Sequence, residues 1–405
     1  MAQIDFTLDY DFLVGLFSES PQTAFGKLME QILNQFIGAE SEDKLKAKPH
    51  ERNEERTDYR NGVRTRNLTH RIGKLELAVP RHRYEPFHSC ILESYQRNES
   101  ALIASMMEMV VQGVSTAKIS KITEELCGQT FSKSTVSKLC KELDVVVHNF
   151  KNRPLVNAYP FVMLDAMYIK VREDHRVCSK ALFVALGINE EGYKEIIGFD
   201  VYEAETEDGW KEFLQTLKKR GLKGTDLFIS DNHKGLTKAI QKEFPAVSWQ
   251  RCQVHFRRNI LDKVPKKYQT VIGEALTEMF NAQDVETARA KRNELLSEYG
   301  SICASAMEIL DEGFEDTMAV MALPKKYRKS LRTTNLLERE NEELRRREKV
   351  IRIFPNQASA IRLMGAVLLD HHENWLGQNR IFSMKEYHER RSEILKNIPK
   401  LTQAA

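Results

Sequence analysis

What the chain lacks sets the first limits. No stretch approaches the ~18–20 consecutive apolar residues of a membrane-spanning helix, and no secretory signal peptide opens the sequence. The six cysteines (Cys90, Cys127, Cys140, Cys178, Cys252, Cys303) are scattered, with no Cys-x-x-Cys. That excludes a disulfide framework and fits a reducing compartment. A strong charge of either sign is missing too. Sixty-one basic residues against 58 acidic ones give +3, so any nucleic-acid partner has to be argued from where charge is placed. Repeats and low-complexity segments are absent. These absences lead to a soluble intracellular protein with no membrane partner. The 405 residues, 41% hydrophobic, suggest two or three packed domains.

Residues 1–40 read as helical, with Phe25, Leu28, Met29, Ile32, Leu33 and Phe36 near helical spacing and Gly38 past the end. The stripe suits core or subunit contact. Ser41 to Asp58 is charged and nearly free of large apolar residues, as in a solvated linker. Tyr59-Arg60-Asn61-Gly62 then carries an Asn-Gly turn signal, and Gly73 separates two short extended runs. Between Arg60 and Arg83 stand seven basic residues (Arg60, Arg64, Arg66, Arg71, Lys74, Arg81, Arg83) and one acid, Glu76. This is either a phosphate-binding surface or a basic solvated hairpin.

From Ser100 to Asn149 the pattern is helical again. Ile119, Ile122 and Leu126 form one stripe, a break falls at Gly128-Gln129-Thr130-Phe131, and a second short helix follows. Lys133, Ser134, Ser137, Lys138 and Lys141 oppose Val136, Leu139, Cys140 and Leu143 on it. A helix-turn-helix with a basic, hydroxyl-bearing recognition face fits; a plain helical hairpin has the same pattern.

At Tyr159 the texture turns to strands: 161–171, 181–188 and 195–201 in hairpin order, then a helix (208–220), a short strand (227–231), a helix (236–244) and a strand (247–250). That order describes a mixed α/β sheet. Ile260 to about Lys325 is helical without a strand signal, as an insertion would be. A charged helix runs from Thr333-Thr334-Asn335 to about Lys349, a short apolar stop spans Val350 to Pro355, and a last helix covers Asn356 to Trp375.

Two acids stand out chemically. Asp165 interrupts an apolar strand, where an ionised carboxylate must be paired, neutralised or bound to a cation. Asp231 closes another strand at its C-terminal end, where open α/β sheets bind ligands. Together they suit a hard divalent cation such as Mg²⁺. Glu338 is the best third ligand, although Asn335 as N-cap with Glu338 three residues on also makes a helix-capping arrangement. Glu340, Glu342 and Glu343 are rivals that read as a solvated face balancing Arg345, Arg346 and Arg347.

The ordered set Leu164-Asp165-Ala166, Ser230-Asp231-Asn232-His233-Lys234-Gly235-Leu236, Arg251-Cys252-Gln253-Val254-His255 and Thr333-Thr334-Asn335-Leu336-Leu337-Glu338 resembles the Mutator-type transposases of bacterial insertion sequences, the insertion-sequence-256 group. Tyr59-Arg60-Asn61-Gly62, Val79-Pro80-Arg81 and Trp210-Lys211-Glu212-Phe213-Leu214 match as well, so the likeness covers about 59–376. The resemblance implies a multidomain α/β protein. Its core would be ribonuclease H-like, with an all-helical insertion, preceded by helical and small β/helix-turn-helix DNA-binding modules. Carried over, the Asp-Asp-Glu triad is Asp165, Asp231 and Glu338, separated by 66 and 107 residues.

The expected layout is a helical dimerisation segment (1–40), a basic linker and small β module (41–98), and a helix-turn-helix domain (99–152). The core would then run in two parts (153–260 and 329–376) around the insertion (261–328), with a C-terminal tail (377–405). Two Mg²⁺ ions per site, with Mn²⁺ able to substitute, would activate the attacking oxygen and stabilise the leaving one. The Cys-x-x-His pair, Cys252 and His255, takes a structural or site-shaping role, since no second pair stands nearby to complete a zinc site. His233 either touches DNA or nearby site groups, or is a plain strand-end histidine; Trp210 belongs to the matched motif.

DNA, as terminal inverted repeats and target, would be gripped by Arg60, Arg64, Arg66, Arg81, Arg83, Lys133, Ser134, Ser137, Lys138, Arg257, Arg258, Arg345, Arg346 and Arg347. The expected function is strand cleavage and transfer by a copy-out, paste-in route, in a dimer or larger assembly, in the cytoplasm of a bacterium and associated with the nucleoid. A transposase-derived DNA-binding regulator is the alternative.

Overall fold

A computed structural model describes residues 6–70, 73–92, 100–127 and 131–401. Arg71 of the basic run and most of the expected break at 128–130 lie outside the described residues. The chain forms two compact units, Met1–Glu142 and Leu143–Ala405.

In the first unit a short helix (Tyr10–Phe17) and a long one (Pro21–Leu45) precede an antiparallel pair, β1 (Arg60–His70) and β2 (Gly73–His82). The long helix starts at a proline behind a Ser20 cap. It runs through Gly38 instead of stopping there. Ser41 and Leu45 are buried, so tertiary packing carries the helix past a residue whose intrinsic cost is about 1 kcal/mol. Ile37, Leu68, Leu75, Leu77, Val79 and Phe87 form the apolar cluster under the hairpin. Polar side chains of the helix complete the ladder beside β2: Asn34 accepts from Ala78 N (2.7 Å) and Glu30 from Glu76 N (2.9 Å), protecting it from edge pairing.

Nor is 41–58 a free linker, because the buried Asp58 accepts hydrogen bonds from Tyr59, Tyr84 and Glu85 backbone N–H groups. The Asn-Gly signal at Asn61-Gly62 is no hairpin turn. It marks a register shift inside β1, where Gly62 takes φ +80°, because a bulge needs the same left-handed backbone as a tight turn. Three further helices follow, Ser100–Val111, Thr116–Cys127 and Lys133–Leu139. They pack around Leu102, Met106, Ile119, Phe131 and Val136.

The second unit is built on a five-stranded sheet of β3 (Phe161–Glu173), β4 (Arg176–Ile188), β5 (Lys194–Tyr202), β6 (Leu227–Ser230) and β7 (Ser248–Arg251). The spatial order is β5-β4-β3-β6-β7. β3, β4 and β5 are antiparallel, while β6 and β7 run parallel to β3. β4 is buried along most of its length, as a strand covered on both faces must be. Alternation along β3 sends Val162 and Leu164 into a core with Phe183, Ile197, Phe213, Leu214, Leu217 and Phe228. That face is covered by helices Glu207–Lys219 and Lys234–Glu243. Phe183 stacks flat on Trp210 at 3.7 Å and on Tyr202 at 4.7 Å, and each such buried ring is worth about 1.5–3 kcal/mol.

The opposite face, which carries Asp165, lies against helices Asn335–Ile351 and Gln357–Leu376. Gly365 lets the latter approach closely, since a Cβ there would stand 2.8 Å from Phe199 and 2.4 Å from Val147. Between β7 and the Glu338-bearing helix the described residues form helices joined by short turns, with no strand among them. Helix Asn335–Ile351 ends at Arg352 with φ +65°, and Phe354 then pairs with β3 at Val171. Residues expected as a tail are docked: Met384 and Tyr387 are buried, and Tyr327 Oη donates to Ser383 O at 2.7 Å.

Candidate active site

Three chain segments converge on the carboxylates. β3 supplies Asp165 from the centre of the sheet, next to parallel β6, after which the chain reaches Asp231. Asp165 Oδ1 accepts from Ala166 N (2.9 Å) and Oδ2 from Asn341 Nδ2 (2.7 Å). Burial pushes the Asp165 carboxyl up to about 6; the Asp231 charge pushes the same way, against the Ala166 hydrogen bond, His255 and Asn341. Asp231 Oδ1 accepts from His233 N at 3.3 Å.

Glu338 stands in the first turn of helix Asn335–Ile351, whose N-cap residue is Thr334, not Asn335. The Thr334 side chain caps no backbone group. Its buried hydroxyl lies 2.8 Å from Glu338 Oε1 and 3.3 Å from Cys252 Sγ. Three residues on from Glu338, Asn341 lies on the same helical side, which is how one helix addresses both the Glu338 cluster and Asp165. Glu340 is buried and paired with His371, and Glu343 pairs with Arg346 at 2.8 Å. Of the expected solvated acidic face, only Glu342 is fully exposed.

The Cys-x-x-His pair is part of this centre. Cys252 caps helix Gln253–Leu261, His255 sits at its third residue, and His255 Nε2 is 3.8 Å from Glu338 Oε1. Among the described residues, Cys252, His255 and Glu338 are the set whose potential metal-ligating atoms all lie within 4.8 Å of one another. The two aspartates do not join that set. Interaction with Cys252 raises His255 to about 9 against the effect of burial, with Glu338 and Asp165 adding to the rise. Burial pushes the Cys252 thiol up, but His255 and Thr334 outweigh it and hold it below its ordinary value.

Sequence reasoning missed Thr334, Asn341 and Glu205. Glu205 is the contact that links two expected residues. It accepts from Trp210 Nε1 (3.3 Å) and faces His233 Nδ1 at 3.5 Å. Burial raises its carboxyl, and so does the charge of Asp231. Asn341 left a signal in its three-residue spacing from Glu338, and Thr334 stood inside the matched motif.

The basic residues divide by surroundings. Arg64, Arg81, Arg83, Lys133, Ser134, Ser137, Lys138, Arg258, Arg345 and Arg346 are exposed, and Arg66 is half-buried. Arg60 instead donates to Ala47 O (2.8 Å) and Lys48 O (3.1 Å), Arg257 to Gly273 O (3.2 Å), and Arg347 is buried.

Known proteins carry the same arrangement of sequence. The family model described as "Transposase, Mutator family" matches residues 16–378. The chain is 46% identical over 388 residues to the transposase for insertion sequence element IS256 in transposon Tn4001 of Staphylococcus aureus, covering 94% of this chain and 98% of that one. It is 40% identical over 370 residues to the transposase for element ISRM5 of Rhizobium meliloti, covering 91% and 93%. A third relative, the transposase for element IS1081 of Mycobacterium tuberculosis, is 36% identical over 364 residues, covering 88% of each. The chain therefore belongs to the Mutator family of transposases and is a DNA transposase.

Proposed function

We propose that Asp165, Asp231 and Glu338 form the catalytic centre of a ribonuclease H-like core, which cleaves DNA at the terminal inverted repeats of an insertion element and joins the strand ends to target DNA. The observation that carries this reading is the Asp165 carboxyl. It sits on the central strand, raised to about 6 by burial and by the charge of Asp231, a strain that a divalent cation relieves. The mixed order β5-β4-β3-β6-β7 supports the fold assignment. The donor chemistry suits Mg²⁺ or Mn²⁺, because all three carboxylates offer hard oxygen ligands. Carboxylates that would share two divalent ions have no need to touch one another, so Glu338 could hold an ion without contacting both aspartates.

Two bound ions would activate the attacking oxygen and stabilise the leaving one. This chain's own residues hold the carboxylates for that task. Asn341 orients Asp165, the His233 backbone N–H orients Asp231, and Thr334 fixes Glu338. The attacking oxygen belongs to water or to a DNA 3′-hydroxyl, so no side chain serves as a covalent nucleophile. Phosphate contacts fall to the exposed cations: Arg64, Arg81 and Arg83 on the hairpin, Lys133 and Lys138 with Ser134 and Ser137 on the short helix, and Arg258, Arg345 and Arg346.

Purified protein incubated with labelled element-end DNA and Mg²⁺ or Mn²⁺ tests the proposal, with Asp231→Ala alongside. Nicked and joined strands from wild type alone are expected. Binding without products from the wild type would leave a DNA-binding regulator.

A further inference from the structure

We propose that Cys252, His255 and Glu338 form a binding site for a borderline divalent cation, Zn²⁺, and that its occupation withholds Glu338 from catalysis. The second half rests on the catalytic reading of Glu338 above; the first half does not.

The fold builds this site from two helix starts. Cys252 and His255 stand at the N-cap and third residue of one helix, so both side chains leave the same end. Glu338 stands in the first turn of another. The two starts are tied together by Gln253 N donating to Arg332 O at 2.9 Å, while Cys252 N is anchored to Ser230 O at 2.7 Å. One sulfur, one ring nitrogen and one carboxylate oxygen thereby come within 4.8 Å of one another. Around tetrahedral zinc such atoms lie about 3.3–3.6 Å apart. The 3.8 Å from His255 Nε2 to Glu338 Oε1 is within about 0.5 Å of that spacing, and side-chain rotation of the order of 1 Å closes the rest.

One further observation points to a ligand: Thr334 has a single hydroxyl proton to share between Cys252 Sγ and Glu338 Oε1, so one of those acceptors always lacks it.

Ligand type decides which metal enters. Thiolate and imidazole select Zn²⁺ over Mg²⁺, while the oxygen-only aspartates select the reverse. Three protein ligands leave zinc a fourth position for water. Glu338 is the one side chain both sets claim, so zinc at the first set removes a ligand from the second.

The test uses the full chain with Co²⁺ as the spectroscopic probe. Wild type should bind one equivalent with a thiolate-to-cobalt charge-transfer band and tetrahedral d–d bands, displaced by one equivalent of Zn²⁺. Cys252→Ser should lose the charge-transfer band. His255→Asn should lose the tetrahedral bands, which guards against a serine variant that fails to fold; native tryptophan fluorescence confirms folding of each. No band in wild type, or a band that survives in folded Cys252→Ser, overturns the site.

Strand transfer driven by Mg²⁺ is then measured with added Zn²⁺, each protein normalised to its own zinc-free rate. Zinc should slow wild type at least tenfold more than Cys252→Ser. A cobalt site without zinc inhibition overturns the withholding of Glu338. A cobalt site in a protein with no strand transfer under Mg²⁺ overturns the catalytic reading while the metal site stands.

Discussion

In the hairpin unit, a two-stranded ladder is held by a small apolar cluster and by polar side chains that finish its hydrogen bonding: Asn34, Glu30 and Asp58. In the sheet unit, β4 is buried from Lys180 to Ile188, and aromatic rings stack from Trp210 through Phe183 to Tyr202. The difference follows from what each region presents. Two strands cannot bury both faces, so the hairpin keeps Arg64, Arg81 and Arg83 in water where phosphates can reach them. Five strands covered on both sides make a stiff platform, and only such a platform can hold a carboxylate like Asp165 against the cost of burial.

That comparison can be broken. Asp231→Ala should lower strand transfer by about 10³-fold or more while end binding stays near wild type. A parallel loss of binding would put the aspartates in the grip rather than the chemistry. Phe183→Ala should destabilise the sheet unit by about 3–5 kcal/mol, read from urea unfolding by tryptophan fluorescence, since Trp210, Trp249 and Trp375 all belong to that unit. Leu77→Ala, in the hairpin cluster, should leave that transition in place; a shared shift would show the units unfold as one.

His372 sharpens the same contrast by pH. Burial, aided by the Arg153 charge, holds it down at about 4, and its Nδ1 has no partner. The unfolded chain therefore takes up the proton first as pH falls. Its contribution is fully present above pH ~6.5 and is lost between there and about pH 4, by about 3 kcal/mol. His372→Phe should flatten that part of the stability–pH curve, and an unchanged slope would show that other groups carry it. The smallest effect is expected at the hairpin. Changing Arg64, Arg81 and Arg83 to Ala should weaken DNA binding and reduce its salt slope by about 0.9 per lost phosphate contact. An unchanged slope would remove the hairpin from the DNA interface.

Much of the sheet unit was legible because its signals are local. Continuous apolar runs marked the strands, and a carboxylate inside or closing such a run is conspicuous by its cost. The hairpin unit was harder to read. Asn61-Gly62 signals positive φ, which a bulge and a turn both use, so the backbone preference was right and the element wrong. Gly38 and the charged residues after it argued for a helix end, yet burial of Ser41 and Leu45 outweighed propensity. Glu340 looked solvated because its partner, His371, lies on the next helix. Arg60 and Arg257 looked free because the backbone carbonyls that bind them are invisible in a pattern of side chains.

By itself, then, the sequence determined the family and the order of strands and helices, and it singled out three candidate acids, because ordered motifs and hydrophobic period are properties of neighbours along the chain. Tertiary structure alone decided that Asn341 holds Asp165, that Thr334 stands between Glu338 and Cys252, and that the Cys-x-x-His pair meets Glu338. Those contacts join segments remote in sequence, and their geometry is set by how helices dock on a sheet, which no local pattern encodes.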